Sequence, residues 1–185
     1  GKRELEAHQL TKLVKISNKL LSGSGINIEA FIQERLGYKF GVTQEKTFMT
    51  GNGSQQPLGL FTASNLGIGT DYDVSTGNTA TAITFDGLME AKYSLKDAYQ
   101  RRATWLFHRD AIKNIRKIKD GNGQYIWQAA VTGGNPAMIL DTPYRTSEFV
   151  PNTFATGKYV GIIGDFYFYW IIRRGVMAIQ VLKEL

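Results

Sequence analysis

His8 and His108 are the chain's two imidazoles, and therefore its natural proton-transfer groups near neutral pH. His108-Arg109-Asp110 places a base two residues from a carboxylate at the expected junction of a strand and a helix. A hydrolytic relay also needs a nucleophile presented on a sharp turn, and no Gly-x-Ser-x-Gly string occurs. A histidine at such a junction more often caps a helix or fills a turn. Phosphate chemistry is no better supported. The chain has no Gly-x4-Gly-Lys-Ser/Thr, and Gly51-Asn52-Gly53-Ser54-Gln55-Gln56 lacks the third glycine of a dinucleotide fingerprint and follows a helix rather than a strand.

Metal chemistry would have to rest on carboxylates. Asp71-Tyr72-Asp73 is too thin a cluster to hold an ion, and Asp120-Gly121-Asn122-Gly123 starts like a calcium loop but has Val131 at the twelfth position, where a bidentate carboxylate belongs. The absence of cysteine removes disulfides, thiolate zinc and a sulfur nucleophile together. Nothing points to a pair of hydrolytic carboxylates. The expectation is a protein that is not an enzyme, with no catalytic residue, no metal, no cofactor and no small-molecule substrate.

The elements that carry these residues follow from spacing. Leu10-Thr11-Lys12-Leu13-Val14-Lys15-Ile16 fits a short strand or a helix start, and Ser22-Gly23-Ser24-Gly25 punctuates the chain. Asn27 is a good N-cap with Glu29 in the first turn, and Ile28, Phe31, Ile32, Leu36 and Phe40 keep helical spacing, so one long helix is predicted over about 27–49. Gly37 and Gly41 weaken it, and their spacing predicts another element packed close by. Gly51-Asn52-Gly53 stops it.

Residues 54–84 read as a long loop rich in Gly, Ser, Thr and Asn. Thr84 should cap a second helix over about 85–100, Thr104-Trp105-Leu106-Phe107 a buried strand, and Asp110 a third helix carrying Ile112, Ile115 and Ile118, ended by Asp120-Gly121-Asn122-Gly123. Strands are predicted over 124–127, 137–140, 159–163, 166–173 and 176–182, with Arg173-Arg174-Gly175 as a turn. In the run Phe166-Tyr167-Phe168-Tyr169-Trp170, alternation would bury one set of rings, in the core or else in contact with another subunit. Helices early and strands late make the fold class α+β.

The 185 residues carry a net charge of +6, with 43% hydrophobic and 21% charged residues, which excludes wholesale disorder. The charge is uneven: residues 51–100 sum to −3 and 101–150 to +4. The densest basic stretch, 92–119, fits the solvated faces of two helices, a polyanion surface, or pairing in trans with an acidic region of another copy. The most apolar stretch, 159–172, is interrupted by Asp165 and is shorter than the ~20 residues of a membrane-spanning helix. No signal peptide is visible, and a soluble intracellular protein is the expectation.

Several strings together resemble one family. Phe48-Met49-Thr50-Gly51-Asn52-Gly53-Ser54-Gln55-Gln56-Pro57-Leu58-Gly59-Leu60 is similar to the "afl.GdG..qP.Gil" signature of tailed-phage and prophage major capsid proteins of the HK97-like fold. Val14-Lys15-Ile16-Ser17-Asn18-Lys19-Leu20-Leu21 resembles "vkiS.elL", and Tyr99-Gln100-Arg101-Arg102-Ala103-Thr104-Trp105 resembles "yr..a.w". Ile118 through Trp127, with Asp120, Gly123, Tyr125 and Trp127, is similar to "lkD.nGrylw". Ile163-Gly164-Asp165-Phe166 and Arg173-Arg174-Gly175 match the late "GDf…i.dr.g" segment, and Asp141 stands where "llG.Pv" has its glycine.

The resemblance runs in order along nearly the whole chain, but it begins after the family's N-terminal arm and extended loop and stops before its last elements. It implies a spine helix and a peripheral domain over 1–57 and 156–185, with an axial domain over 58–155. It implies a structural shell subunit that self-assembles into pentamers and hexamers enclosing DNA, located in the virion capsid and assembled in the bacterial host cytoplasm. The implied partners are other copies, portal and scaffold proteins, and packaged DNA on the inner face, with no membrane. The Lys–Asn cross-link of some relatives finds no assignable residue here, and this stretch alone is expected to be monomeric. Arg101, Arg102, Arg173, Arg174, Asp71 and Asp73 are the candidates for contact between copies, with acidic 71–97 facing basic 101–119 or 173–174. The alternative function is a basic nucleic-acid-binding module.

Overall fold

A computed structural model describes residues 6–17, 19, 25, 27–127, 138–175 and 178–180. The chain separates into two compact units, Gly1–Gly59 with Ile171–Leu185, and Leu60–Trp170. Residues 156–170 thus group with the central unit, because β4 (Gly161–Gly164) pairs along β1 (Thr104–Phe107).

The first unit is dominated by helix α1, Ile28–Thr50. Asn27 opens it as the sequence requires, its Oδ1 accepting the Ala30 N–H at 3.2 Å, with Glu29 in the first turn. No residue of α1 is buried, although Ile28, Ile32, Leu36 and Phe40 are half-buried. The close packing expected at Gly37 and Gly41 is not found: among the described residues nothing lies within 4 Å of where a Cβ would sit on either. Residues 6–17 form neither the strand nor the helix start allowed by their pattern. The turn at 22–25 lies mostly outside the described residues.

The second unit holds a mixed four-stranded sheet in the order β2-β3-β1-β4, where β2 is Met138–Ile139 and β3 is Thr142–Thr146. β1 runs parallel to β3 and antiparallel to β4, and β2 pairs antiparallel with β3. Thr84 caps α2 (Phe85–Ser94), its hydroxyl accepting the Gly87 N–H at 3.0 Å. The predicted helix over 85–100 breaks after Ser94, and a short α3, Asp97–Gln100, follows. The Ser94 hydroxyl donates back to the Ala91 carbonyl at 2.8 Å and Gln100 Nε2 donates to the Leu95 carbonyl at 3.0 Å, side-chain bonds that compete with helix continuation.

Helix α4, Arg109–Arg116, crosses from β1 toward β3 and buries Ala111, Ile112 and Ile115. These pack with Leu88, Trp105, Phe107 and Ile139 to form the core. Within it the Trp105 and Phe107 rings stack at 5.4 Å, and Trp105 Nε1 donates to the Ile139 carbonyl at 3.2 Å. Strand β3 was not predicted: Pro143 interrupts its Thr142/Tyr144 alternation and demotes the pattern. The predicted strand over 124–127 reduces to one bridge, Lys119 with Tyr125.

The predicted strand over 166–173 is absent. Asp165 instead caps a 3-10 turn, Phe166–Phe168, with Oδ1 accepting the Tyr167 N–H at 3.0 Å, and residues 169–175 continue without regular structure. Of the predicted strand over 176–182, 178–180 are described and irregular, and the rest lie outside the described residues. Among the described residues no helix is long and apolar enough to cross a membrane. Helices that precede and flank a late mixed sheet make the fold α+β.

Candidate functional site

The glycine-rich string after α1 is a folded-back turn. The Gly51 N–H donates to the Thr47 carbonyl at 2.8 Å, ending the helix, and the Gly59 N–H donates to the Gly51 carbonyl at 2.9 Å, closing the loop. Between them Asn52 bridges Leu58, and Asn52 Oδ1 accepts from the Ser54 N–H at 3.0 Å and Gln56 Nε2 at 2.8 Å. Gly53 sits at φ +76, where a Cβ is unfavourable. A Cβ on Gly51 would strike the carbonyls of Pro57 and Thr47, and one on Gly59 would lie 2.5–2.6 Å from Gly51 N, Met49 O and Thr50 N. Gly51, Gly53, Pro57 and Gly59 therefore serve chain geometry and present no phosphate cradle.

Asp120, Gly123, Tyr125 and Trp127 build a hairpin, not the end of α4. Asp120 Oδ1 accepts from the Asn122 and Gln124 N–H groups at 2.9 and 2.8 Å, which uses the carboxylate internally. Lys119 lies over the Tyr125 ring at 5.1 Å, and Arg116 lies over Trp127 at 4.8 Å while donating to the Tyr144 hydroxyl at 3.2 Å. Arg116 and Lys119 thus engage aromatic faces within the unit.

His108, rather than Asp110, caps α4: its Nδ1 accepts the Asp110 N–H at 3.1 Å, and its Nε2 lies 3.3 Å from Glu148 Oε2. Asp110 lies in the first turn beside Lys113 Nζ at 2.9 Å and Asn152 Nδ2 at 3.2 Å. The hydrogen bonds from Lys113 and then Asn152 hold its carboxyl below the usual range. The imidazole is therefore spent on capping and on Glu148. The one cavity described, about 210 Å³, is lined by Phe85, Leu88, Ile115, Ile118, Ile126, Trp127, Met138, Ile139 and Leu140 and carries no convergent polar groups. Among the described residues no group of three potential metal ligands occurs.

The proposed contact residues fall in different settings. Arg102 is held within the chain, Nε 3.8 Å from Asp165 Oδ2 and its guanidinium 4.3 Å from the Tyr167 ring centre. Gly164 ends β4 opposite Thr104, which brings Asp165 to that position. Asp73 accepts from the Tyr159 hydroxyl at 3.0 Å, and partial burial with this neighbouring carboxylate raises the Tyr159 pKa. Burial alone raises that of Tyr169. Arg173 donates to Gln44 Oε1 at 3.4 Å in the first unit. Arg101, Arg174 and Asp71 are exposed and make no ion pair among the described residues.

The first sequence reading, core packing, does not hold for the exposed aromatic residues near these charges. Tyr167, Phe168 and Trp170 are 62%, 63% and 74% exposed, so the expected burial of alternate rings fails for them. Tyr99 meets Phe168 edge-on at 5.6 Å, and Phe168 meets Tyr167 likewise at 5.7 Å. A run of aromatic residues reads first as core from sequence, with subunit contact as the second reading, and no local signal decides between them.

The model of the phage capsid family matches residues 1–185. Among solved structures, the capsid of an empty GTA (gene transfer agent) particle, computed with C5 symmetry, is 27% identical with a TM-score of 0.74 over 86% of this chain and 56% of that one. The capsid of a native GTA particle, also with C5 symmetry, is 24% identical with a TM-score of 0.70 over the same shares. The chain thus spans little more than half the length of the solved capsid chains it matches. No curated protein matches the sequence.

Proposed function

Because the chain belongs to the phage capsid family and has its HK97-like α+β fold, we propose that it is part of a structural subunit of an icosahedral shell. Copies self-assemble into pentamers and hexamers that enclose DNA. The observation that carries this reading is the match of the family model along the entire chain, in a molecule whose signature residues Gly51, Gly53, Gly59, Asp120 and Gly123 serve backbone geometry. Activity resides in surfaces: heterologous contacts between copies, closed by rotation, build rings. The unit containing α1 serves as the peripheral domain and the unit containing the sheet as the axial domain. Portal and scaffold proteins and packaged DNA are the further partners, the DNA on the inner face. The subunit assembles in the bacterial host cytoplasm, resides in the virion capsid and performs no catalysis.

Electron microscopy of the full-length protein after expression in a bacterial host tests the proposal. Closed shells or capsomer rings are expected. A protein that stays monomeric at all concentrations, yet binds duplex DNA with a steep salt dependence, would refute it in favour of a basic nucleic-acid-binding module.

A further inference from the structure

The central unit carries two exposed apolar patches of opposite electrostatic character. The first lies in the loop before α2, where Leu66 and Tyr72 are each 78% exposed and Asp71, next to Tyr72 in the chain, is exposed and makes no ion pair among the described residues. No Lys or Arg occurs over 47–91, a stretch that carries Asp71, Asp73, Asp86 and Glu90. The second is the Tyr167/Trp170 surface after β4: Arg102 lies over the Tyr167 ring, and Arg101, next to it in the chain, is exposed and makes no ion pair among the described residues.

Strand β4 fixes where these patches stand relative to each other. Tyr159, just before the strand, is bonded to Asp73 at the acidic loop, and Asp165, just after it, holds Arg102 at the aromatic patch. Six residues of extended chain separate the two anchors, roughly 20 Å at ~3.3 Å per residue. The acidic loop is therefore too distant to cover the aromatic patch of its own chain.

We propose that the occupant is a second copy of this chain: the Leu66–Asp71–Tyr72 loop of one copy seats on the Arg101–Tyr167–Trp170 patch of the next. Two different patches at opposite ends of one strand make a head-to-tail contact, the kind that rotation closes into a ring. The aromatic residues supply the anchors and the Asp71–Arg101 pair supplies orientation and encounter rate. Arg102 and Asp73 take no part in the pair, because Asp165 and Tyr159 already hold them; they keep each patch in shape. This inference rests on the shell reading and names the contact that reading requires.

The test uses the full-length protein and four variants: Asp71→Arg, Arg101→Asp, the double exchange Asp71→Arg/Arg101→Asp, and Trp170→Ala. Particle yield is followed by sedimentation velocity and circular dichroism verifies folding. Each single reversal should raise the protein concentration for half-assembly about tenfold, because like charges then face each other across every contact. The double exchange should restore assembly, which also shows that the single variants are not simply misfolded. Trp170→Ala should weaken assembly with its dichroism unchanged. Single reversals that assemble like the parent protein, or a double exchange no better than either single, would overturn the contact while leaving the shell reading intact. A parent protein that never assembles would overturn both. Variants that assemble normally but retain less DNA would show the patch to be a nucleic-acid surface and overturn the contact.

Discussion

Replacing Gly59 by alanine adds one methyl group, yet it should be among the most damaging small changes in the first unit. The new Cβ would lie 2.5 Å from Gly51 N, 2.6 Å from Met49 O and 2.6 Å from Thr50 N. Carbon normally approaches such atoms no closer than ~3.5 Å, so the overlap is about 1 Å on three sides. All three neighbours are backbone, and no flexible side chain can swing aside. Relief requires moving residues 57–59 off the helix end, which stretches the 2.9 Å Gly59–Gly51 hydrogen bond and the Asn52–Leu58 bridge. Overpacking costs about 1–3 kcal/mol and the lost hydrogen bond about 1, giving roughly 2–4 kcal/mol.

Gly37→Ala is the internal control. Nothing described lies within 4 Å of its Cβ position, and α1 gains about 1 kcal/mol from the better helix former. Urea unfolding followed by far-ultraviolet dichroism should then move in opposite directions for one chemical change. With a slope of about 2 kcal/mol/M, the midpoint falls by about 1–2 M for Gly59→Ala and rises by about 0.5 M for Gly37→Ala. Midpoints that shift in the same direction, or an unchanged midpoint for Gly59→Ala, would refute the steric argument.

Three further changes test other parts of the fold. Leu140 and Asp141, at φ 48 and φ 61, form the two-residue turn between β2 and β3, so Asp141→Gly should stabilise the chain by about 1 kcal/mol and raise its melting temperature. Trp105→Ala removes a ring only 2% exposed along with its bond to the Ile139 carbonyl and should cost about 3–5 kcal/mol in chemical denaturation. Asp110 has its folded-state pKa lowered, first by the Lys113 hydrogen bond and next by Asn152. Its contribution is present above the ordinary carboxylate pKa of ~4 and is lost as pH falls through the lowered folded value, so Asp110→Asn should flatten the acid limb of a stability–pH profile.

The legible parts of this molecule are those where local chemistry and tertiary packing agree. Asn27 opens α1 and Gly51 ends it because a capping side chain and a helix stop act within a few residues. Strand β1 and the isoleucines of α4 announce themselves as core because every alternative would expose them. Three of the misreadings share one cause, a side chain that satisfies nearby backbone in a way the hydrophobic pattern does not record. Ser94 and Gln100 split one predicted helix in two, His108 takes the capping role expected of Asp110, and Asp165 turns a predicted strand into a 3-10 turn. The candidate contact residues were legible as charges but not as partners. Arg102 and Asp73 look as available as Arg101 and Asp71 in the sequence, and only folding brings Asp165 and Tyr159 to them.

Helix α1 shows why assembly should be written into the energetics of the chain. Its twenty-three residues include none that is buried, while Phe31 and Tyr38 are 51% and 64% exposed. An isolated helix of this length is marginal in water, and Gly37 and Gly41 remove about 2 kcal/mol that alanines would supply. The Asn27 cap returns about 1 kcal/mol, which does not offset them. Such a helix gains from further covering surface, and on the proposed shell reading neighbouring copies contribute it. Helix α4 differs, because Ala111, Ile112 and Ile115 are buried within its own unit. Hydrogen exchange should therefore find the α1 amides weakly protected in unassembled protein and strongly protected in particles, with the buried turns of α4 protected in both. Equal protection of α1 in the two states would mean that the helix needs no neighbour, and the link between its exposure and assembly would fail.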